Sequence, residues 1–566
     1  MDVASAIPPS RSESGSMPDS DRQPPLPTRP HSAGKGASRL RLRDISSPSR
    51  LFRRTYTPVV GPNLYLIPIR HQTARMRTLA SQFATFLASA LLTLAAGVHA
   101  AEPDDLPNMG SPAQAMLTLE DEYQIGRMIV RGLRDQDQIL EDPEVAEYIR
   151  SIGYRLSSQA HDGSQRFNFF MVRDNAINAF ALPGGFIGVN TGLLLETKNE
   201  SELAGVLAHE IAHVTQRHIA RSIAAQSRSS LVSTAAMLAA ILISAAAGGG
   251  DAAMAGMAAA QSLAIQQQIS FTRANETEAD RVGLGILARA GFDPKGMPDF
   301  FETMSRRAGS SEANIPEMLR THPVTVSRIS ETKARAEQVV AEPQPESPLY
   351  ALTRERLRVL STPSGDSPLD YYNSVIRNEA DATPAQMYGR ALALMMSGKP
   401  RDAVPILERL RDADPTVLQY HTALGQAQLQ AKQEKAALTT FERARELFPR
   451  NVAVTVRSAE ALMQVGEAKK AHEILLDLFN VVPPTPEQAR LTALAANAAG
   501  DVADSYYYMS EYHVMSGDLL LAVNQLQLAL AVPKISNVQR ARFQARLEEI
   551  QAAIPRRNAR RAANER

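Results

Sequence analysis

Apolar positions change their spacing several times along this chain, and each change marks an element. Leu117, Tyr123, Ile125, Ile129 and Leu133 recur at near-helical intervals, so residues 116–160 are predicted helical. Residues 167–172, 178–182 and 186–190 are short aromatic and β-branched runs. Pro183-Gly184-Gly185 forms a turn between the last two, and together they predict a small antiparallel sheet. Helical spacing returns over residues 201–222, where Leu203, Val206, Leu207, Ile211 and Val214 form an apolar side.

Farther on the pattern becomes a repeat. Ala403, Ala437 and Ala471 are 34 residues apart, as are Pro415, Pro449 and Pro483. Ala391, Gly425 and Ala459 mark a small-residue position in a first helix, and Leu407, Phe441 and Leu475 a large apolar position in a second. A period of 34 is that of the tetratricopeptide repeat, whose units stack into a solenoid with a concave binding face. Gly517, Ala522 and Leu526 repeat the pattern once more, but 51 residues past Ala471, so an extra helix near residues 487–499 is expected to break the phase.

Composition narrows the chemistry. With 566 residues, 44% hydrophobic and 21% charged, the chain is mostly globular with room for three to four domains. It has no cysteine, which excludes disulfides, thiol nucleophiles and cysteine metal sites. The net charge of +1 divides into +8 over the first 100 residues and −7 beyond, so the main body gives no whole-surface argument for nucleic-acid binding. Residues 1–75 are rich in Pro, Ser and Arg and read as disordered. Met76-Arg77, an apolar run over residues 83–97 and the small residues around Ala100 then make a signal peptide, which suggests that translation starts at Met76. The alternative is a membrane anchor behind a cytoplasmic tail. Residues 231–247 carry no charge and are followed by Gly248-Gly249-Gly250 and a second Ala/Met-rich run to residue 260. This hairpin either touches membrane or packs as a lid over the cleft.

The chemistry lies in His209-Glu210-Ile211-Ala212-His213. Residues four apart share one helix face, so both imidazoles can converge on one metal, and the intervening Glu210 can face the water that such a metal activates. A hydrolytic zinc site takes three protein ligands, and without cysteine the third must be a histidine or a carboxylate. Glu276 and Asp280 are four apart in a second helical stretch; one can bind metal and the other can orient a ligand histidine, and spacing alone leaves open which.

This combination resembles peptidase family forty-eight, the gluzincin metalloendopeptidases, over about residues 115–335. Asn178-Ala179-Phe180 with Pro183-Gly184-Gly185, and Thr321-His322-Pro323 with Arg328, also look like that family. The resemblance implies that His209, His213 and Glu276 bind one zinc per chain, that Glu210 is the general base and that Asp280 orients a ligand. Glu278 is expected to be a solvated helix residue. His322 could close the fourth zinc position and keep the enzyme latent, or bind substrate. Arg328 could stabilise the oxyanion or form a structural ion pair.

The expected fold is predominantly α: a helical zincin-type protease domain with a small antiparallel sheet, followed by an α-solenoid of tetratricopeptide repeats. The expected divisions are an extension at 1–75, a signal peptide at 76–100, the protease at 101–340, a linker with helix at 341–383, repeats at 384–535, and a C-terminal helix with basic tail at 536–566. An exported zinc peptidase with repeats resembles the periplasmic, repeat-bearing members of the family in Gram-negative bacteria. That implies degradation of misfolded or stalled outer-membrane proteins and help in their assembly, with the repeats docking on the assembly machinery and at most peripheral membrane contact. A periplasmic chaperone or scaffold with a latent site, or a membrane-embedded metalloprotease, are the alternatives.

Overall fold

A computed structural model describes residues 117–160, 165–225, 272–308 and 316–554. The expected extension, signal peptide, 231–260 hairpin and basic tail fall outside the described residues. The described residues all belong to one compact unit.

The predicted N-terminal helix is two helices, α1 (Leu119–Asp135) and α2 (Pro143–Ser157). Asp137 turns the chain with φ of 54°, Ile139 bridges to Val172, and Asp142 caps α2 ahead of Pro143 at its first turn. Proline has no N–H to give a helix interior, so it starts a helix instead of continuing one.

Strands β1 (Asn168–Val172), β2 (Ala179–Leu182) and β3 (Phe186–Asn190) form a sheet in the order β1-β3-β2. The β2–β3 hairpin is antiparallel as expected, but β1 runs parallel to β3, so the sheet is mixed. The tight turn commits β2 to one edge of β3. The path from Val172 to Phe186 includes β2 itself, and is long enough to carry the chain across to a parallel register. Gly184 and Gly185 hold φ of 76° and 79°, and a Cβ on Gly185 would lie 1.8 Å from the Arg166 carbonyl oxygen. Along each strand side chains alternate between two cores. Phe170, Val172, Phe180, Leu182 and Phe186 join Ile125, Ile129 and Leu133 of α1 on one face. Phe169, Met171, Ala179, Ala181, Ile187 and Val189 join the larger core on the other.

That larger core is organised by α4 (Glu200–Thr215), which follows the short α3 (Thr191–Glu196) and is buried without interruption from Glu202 to Val214. Asn199 caps it by accepting the Glu202 N–H. Then come α5 (His218–Ala225), α6 (Arg273–Arg289), α7 (Gly296–Ala308), α8 (Glu317–Thr321) and α9 (Val326–Gln338). Helix α6 lies tight on α4: a Cβ at Gly283 would sit 3.1 Å from the Ala208 backbone. This close approach brings the carboxylates of α6 to the histidines of α4.

Two connecting helices, α10 (Pro348–Leu360) and α11 (Pro368–Val375), lead into the repeats: α12 (Pro384–Met396), α13 (Pro400–Ala413), α14 (Leu418–Gln430), α15 (Glu434–Leu447), α16 (Val452–Gln464), α17 (Ala468–Phe479), α18 (Pro486–Ala498), α19 (Val502–Met515), α20 (Leu519–Ala531) and α21 (Asn537–Ala553). The small and the large apolar motif positions are buried as the pattern requires, and the missing side chain of Gly425 makes room for the ring of Phe441. The expected phase break does not occur. Gly398, Lys432, Gly466, Gly500 and Lys534 all have positive φ at the turn between the two helices of a pair, and they stay 34 residues apart throughout. Helix α18 is therefore the first helix of a regular fourth pair. Gly517, which also has positive φ, stands between pairs, half a period away, and imitated the motif there.

The repeats close back on the protease. Arg356 of α10 and Arg457 of α16 both reach Asp142 at 2.7 Å, and Glu144 at 3.2 and 2.9 Å. Glu147 accepts from Asn451 and from the Ala453 N–H, and Arg131 of α1 pairs with Asp518.

Candidate metal centre

On α4 the two histidines of the motif turn their Nε2 atoms toward one another, 3.0 Å apart. Glu276, in the first turn of α6, places Oε2 3.5 Å from His209 Nε2 and Oε1 3.5 Å from His213 Nε2. Ligands about 2.0–2.1 Å from one tetrahedral ion lie roughly 3.3 Å from each other, so this spacing fits a single small cation. His322, at the C-terminal end of α8, completes the group with Nδ1 3.0 Å from Glu276 Oε1 and Nε2 3.6 Å from Glu210 Oε1. Among the described residues, ligand atoms of His209, His213, Glu276 and His322 all lie within 4.8 Å of one another, and all four residues are buried.

The electrostatics favour a cation here. Burial disfavours charge on His209, but hydrogen bonds and charge from Asp280 and Glu276 outweigh it and push the ring up to about 10. Burial likewise opposes charge on Glu276, yet His322 and His209 hold its carboxyl well below the usual carboxylate range. A metal ion would replace the proton that these carboxylates attract, leaving the imidazoles neutral as ligands must be. His213 is pushed well down, first by burial and then by the neighbouring His209 and His322. Burial raises Glu210 against the opposing pull of His322 and His209. Among the described residues neither Glu210 oxygen has a hydrogen bond of normal geometry, although the Ala181 N–H of β2 approaches it. A buried carboxylate left so is costly, and a water or substrate proton would satisfy it.

Behind these residues Asp280 contacts His209 Nδ1 at 2.9 Å. Arg328 grips both Asp280 oxygens at 2.8 Å, reaches Glu276 Oε2 at 2.8 Å and donates to the Pro323 carbonyl. Arg328 thus makes the ion pair that was one of its two expected roles. Glu278 is not the free surface group expected: it accepts from His218 and from Arg221. His218 is buried against His213 and escaped the sequence analysis altogether. Five residues along an unbroken helix lie about 140° around the axis, so its spacing carried no signal. Arg217, with φ of 51°, breaks the helix and brings His218 back beneath His213.

Comparison with known proteins agrees with the geometry. Residues 143–336 match the family model "Peptidase family M48" and residues 428–495 match "Tetratricopeptide repeat". The chain is 32% identical over 468 residues to the beta-barrel assembly-enhancing protease of Escherichia coli, covering 82% of this chain and 95% of that one. The chain belongs to peptidase family M48. It is a metalloendopeptidase with tetratricopeptide repeats. It is also 30% identical over 188 residues to the mitochondrial metalloendopeptidase OMA1 of Arabidopsis thaliana, covering 33% of this chain and 35% of that one. Among solved structures it resembles a crystal structure of MamA, with 19% identity, 26% of this chain and 86% of that chain covered, and a TM-score of 0.24. Membership of the family implies a metal, and the cluster around His209 is a group that could hold it. No described helix is long and apolar enough to cross a membrane.

Proposed function

We propose that this chain is an exported, periplasmic zinc endopeptidase that degrades misfolded or stalled outer-membrane proteins and assists their assembly, with its repeats binding the assembly machinery. The observation that carries the reading is the convergence of His209, His213 and Glu276 beside the buried carboxylate of Glu210. The name and the near full-length match of the Escherichia coli relative support the substrate class. In this reading the three residues hold one zinc, which when bound supplies a Lewis acid toward water and a peptide carbonyl. Glu210 takes the proton of the attacking water and returns it to the leaving amine. Asp280 fixes the His209 ring, with Arg328 holding Asp280 in place. In this reading an extended substrate pairs with β2, an edge strand of the sheet among the described residues, and selection by backbone shape suits unfolded chains.

The approach of His322 to Glu276 and Glu210 supports a latent resting enzyme. A histidine here can take the fourth ligand position and exclude water. The test is degradation of a purified unfolded outer-membrane protein. Wild type should cleave it and Glu210→Gln should not, while a globular soluble protein survives both. Equal cleavage by wild type and Glu210→Gln, or no cleavage by either wild type or His322→Ala, would contradict the reading.

A further inference from the structure

Helix α6 serves the two histidines of α4 unequally. Asp280 lies on the same face as Glu276 and reaches His209 directly, at 2.9 Å. Glu278, two residues from each, points off that face and cannot reach His213 in the same way. His218 stands in the gap. Its Nδ1 is 2.8 Å from His213 Nδ1 and its Nε2 is 3.2 Å from Glu278 Oε2, which also accepts from Arg221 Nη1 at 2.9 Å. The His218 ring is wholly buried.

We propose that His218 is a positioning residue for the metal ligand His213, linking it through a second imidazole to the Arg221-held carboxylate of Glu278. The proposal rests on the reading of His213 as a ligand through Nε2. Given that reading, every proton in the chain is assigned. A ring that offers its Nε2 lone pair to a metal carries its proton on Nδ1, which donates to His218 Nδ1. His218, accepting there, holds its own proton on Nε2 and donates it to Glu278. The carboxylate thus fixes the tautomer and orientation of His213 one ring away, and makes it a better donor to the metal. Such outer partners of ligand histidines are commonly worth roughly 10- to 100-fold in metal affinity. The device depends on the left-handed turn at Arg217, which is itself secured by an ion pair with Glu122 of α1.

Zinc affinity of the full chain, measured by competition with a chromophoric chelator, tests this. His218→Phe fills the space without an acceptor and should weaken zinc binding roughly 10- to 100-fold. His218→Gln can accept from His213 with its carbonyl and donate to Glu278 with its amide, and should recover most of that loss. Glu278→Gln, at a partly exposed position that tolerates replacement, should weaken binding by roughly tenfold, and decides the matter if His218→Phe fails to fold. A folded His218→Phe that binds zinc as wild type does, a Gln variant no better than Phe, or an unaffected Glu278→Gln would overturn the relay. His213→Ala separates this from the underlying reading. If it too binds zinc as wild type does, His213 is not a ligand, and the site assignment fails before the relay is reached.

Discussion

Lys432 and Lys534 adopt left-handed backbone, with φ of 66° and 62°, at turns where Gly398, Gly466 and Gly500 stand in the other pairs. A Cβ costs about 1–2 kcal/mol in that region, while glycine adds some freedom to the unfolded chain. Lys432→Gly should therefore raise stability by up to about 1 kcal/mol, seen as a higher urea midpoint; a lower midpoint would show that the lysine side chain earns its place by contacts. The same scale explains what the sequence revealed of the site. His209, Glu210 and His213 were legible because the i, i+4 rule holds inside an intact helix. His218 and Glu278 were not, because their meeting depends on one backbone dihedral at Arg217, where an arginine takes a conformation that only glycine would have advertised.

The buried cluster of Asp142, Glu144, Arg356 and Arg457 joins the cap of α2 to α10 and α16. Asp142 also accepts the Val145 N–H as the helix cap. Burial opposes its charge, but Arg356 and Arg457 hold its carboxyl well below the usual carboxylate range. A depressed folded-state value means that this contribution to stability is complete above the ordinary aspartate range, near pH 4. It is lost as pH falls toward the folded value. Asp142→Asn should cost about 3–5 kcal/mol at neutral pH, and the wild-type advantage over it should shrink below about pH 4. Urea unfolding of both proteins from pH 7 to pH 3 checks this, and an equal gap at every pH would contradict it. The strands and the repeat helices were legible from their periods, whereas the helix breaks at Asp137 and Arg217 were not. The parallel pairing of β1 was not, since a period of two is the same in either direction, and the apparent phase break arose because Gly517 turns the chain at a half-period position with the same residue types.

At the scale of the whole molecule the repeats are not a free arm: Arg457 of α16 shares buried ion pairs with the protease, so removing residues 384–535 would strip that partner from Asp142 and Glu144 as well as remove any docking surface. Point variants leave those ion pairs in place and are the sounder probes. The segment carrying His322 is the clearest of these. His322 is buried with Nδ1 on Glu276, and the short α8 that positions it is anchored by the Met318 N–H donating to the Ile177 carbonyl beside β2. If that ring keeps the enzyme latent, His322→Ala should cleave an unfolded outer-membrane protein several times faster than wild type with zinc content unchanged. Slower cleavage would assign His322 to substrate binding instead.

The central claim is that His209, His213 and Glu276 hold the metal while Glu210 performs proton transfer, and the zinc content of two isosteric variants tests it most directly. Purified Glu210→Gln should retain one zinc per chain and lose peptide hydrolysis, whereas Glu276→Gln should lose most of its zinc, since an amide is a far weaker ligand than a carboxylate. Loss of zinc in Glu210→Gln with full occupancy in Glu276→Gln would contradict the account.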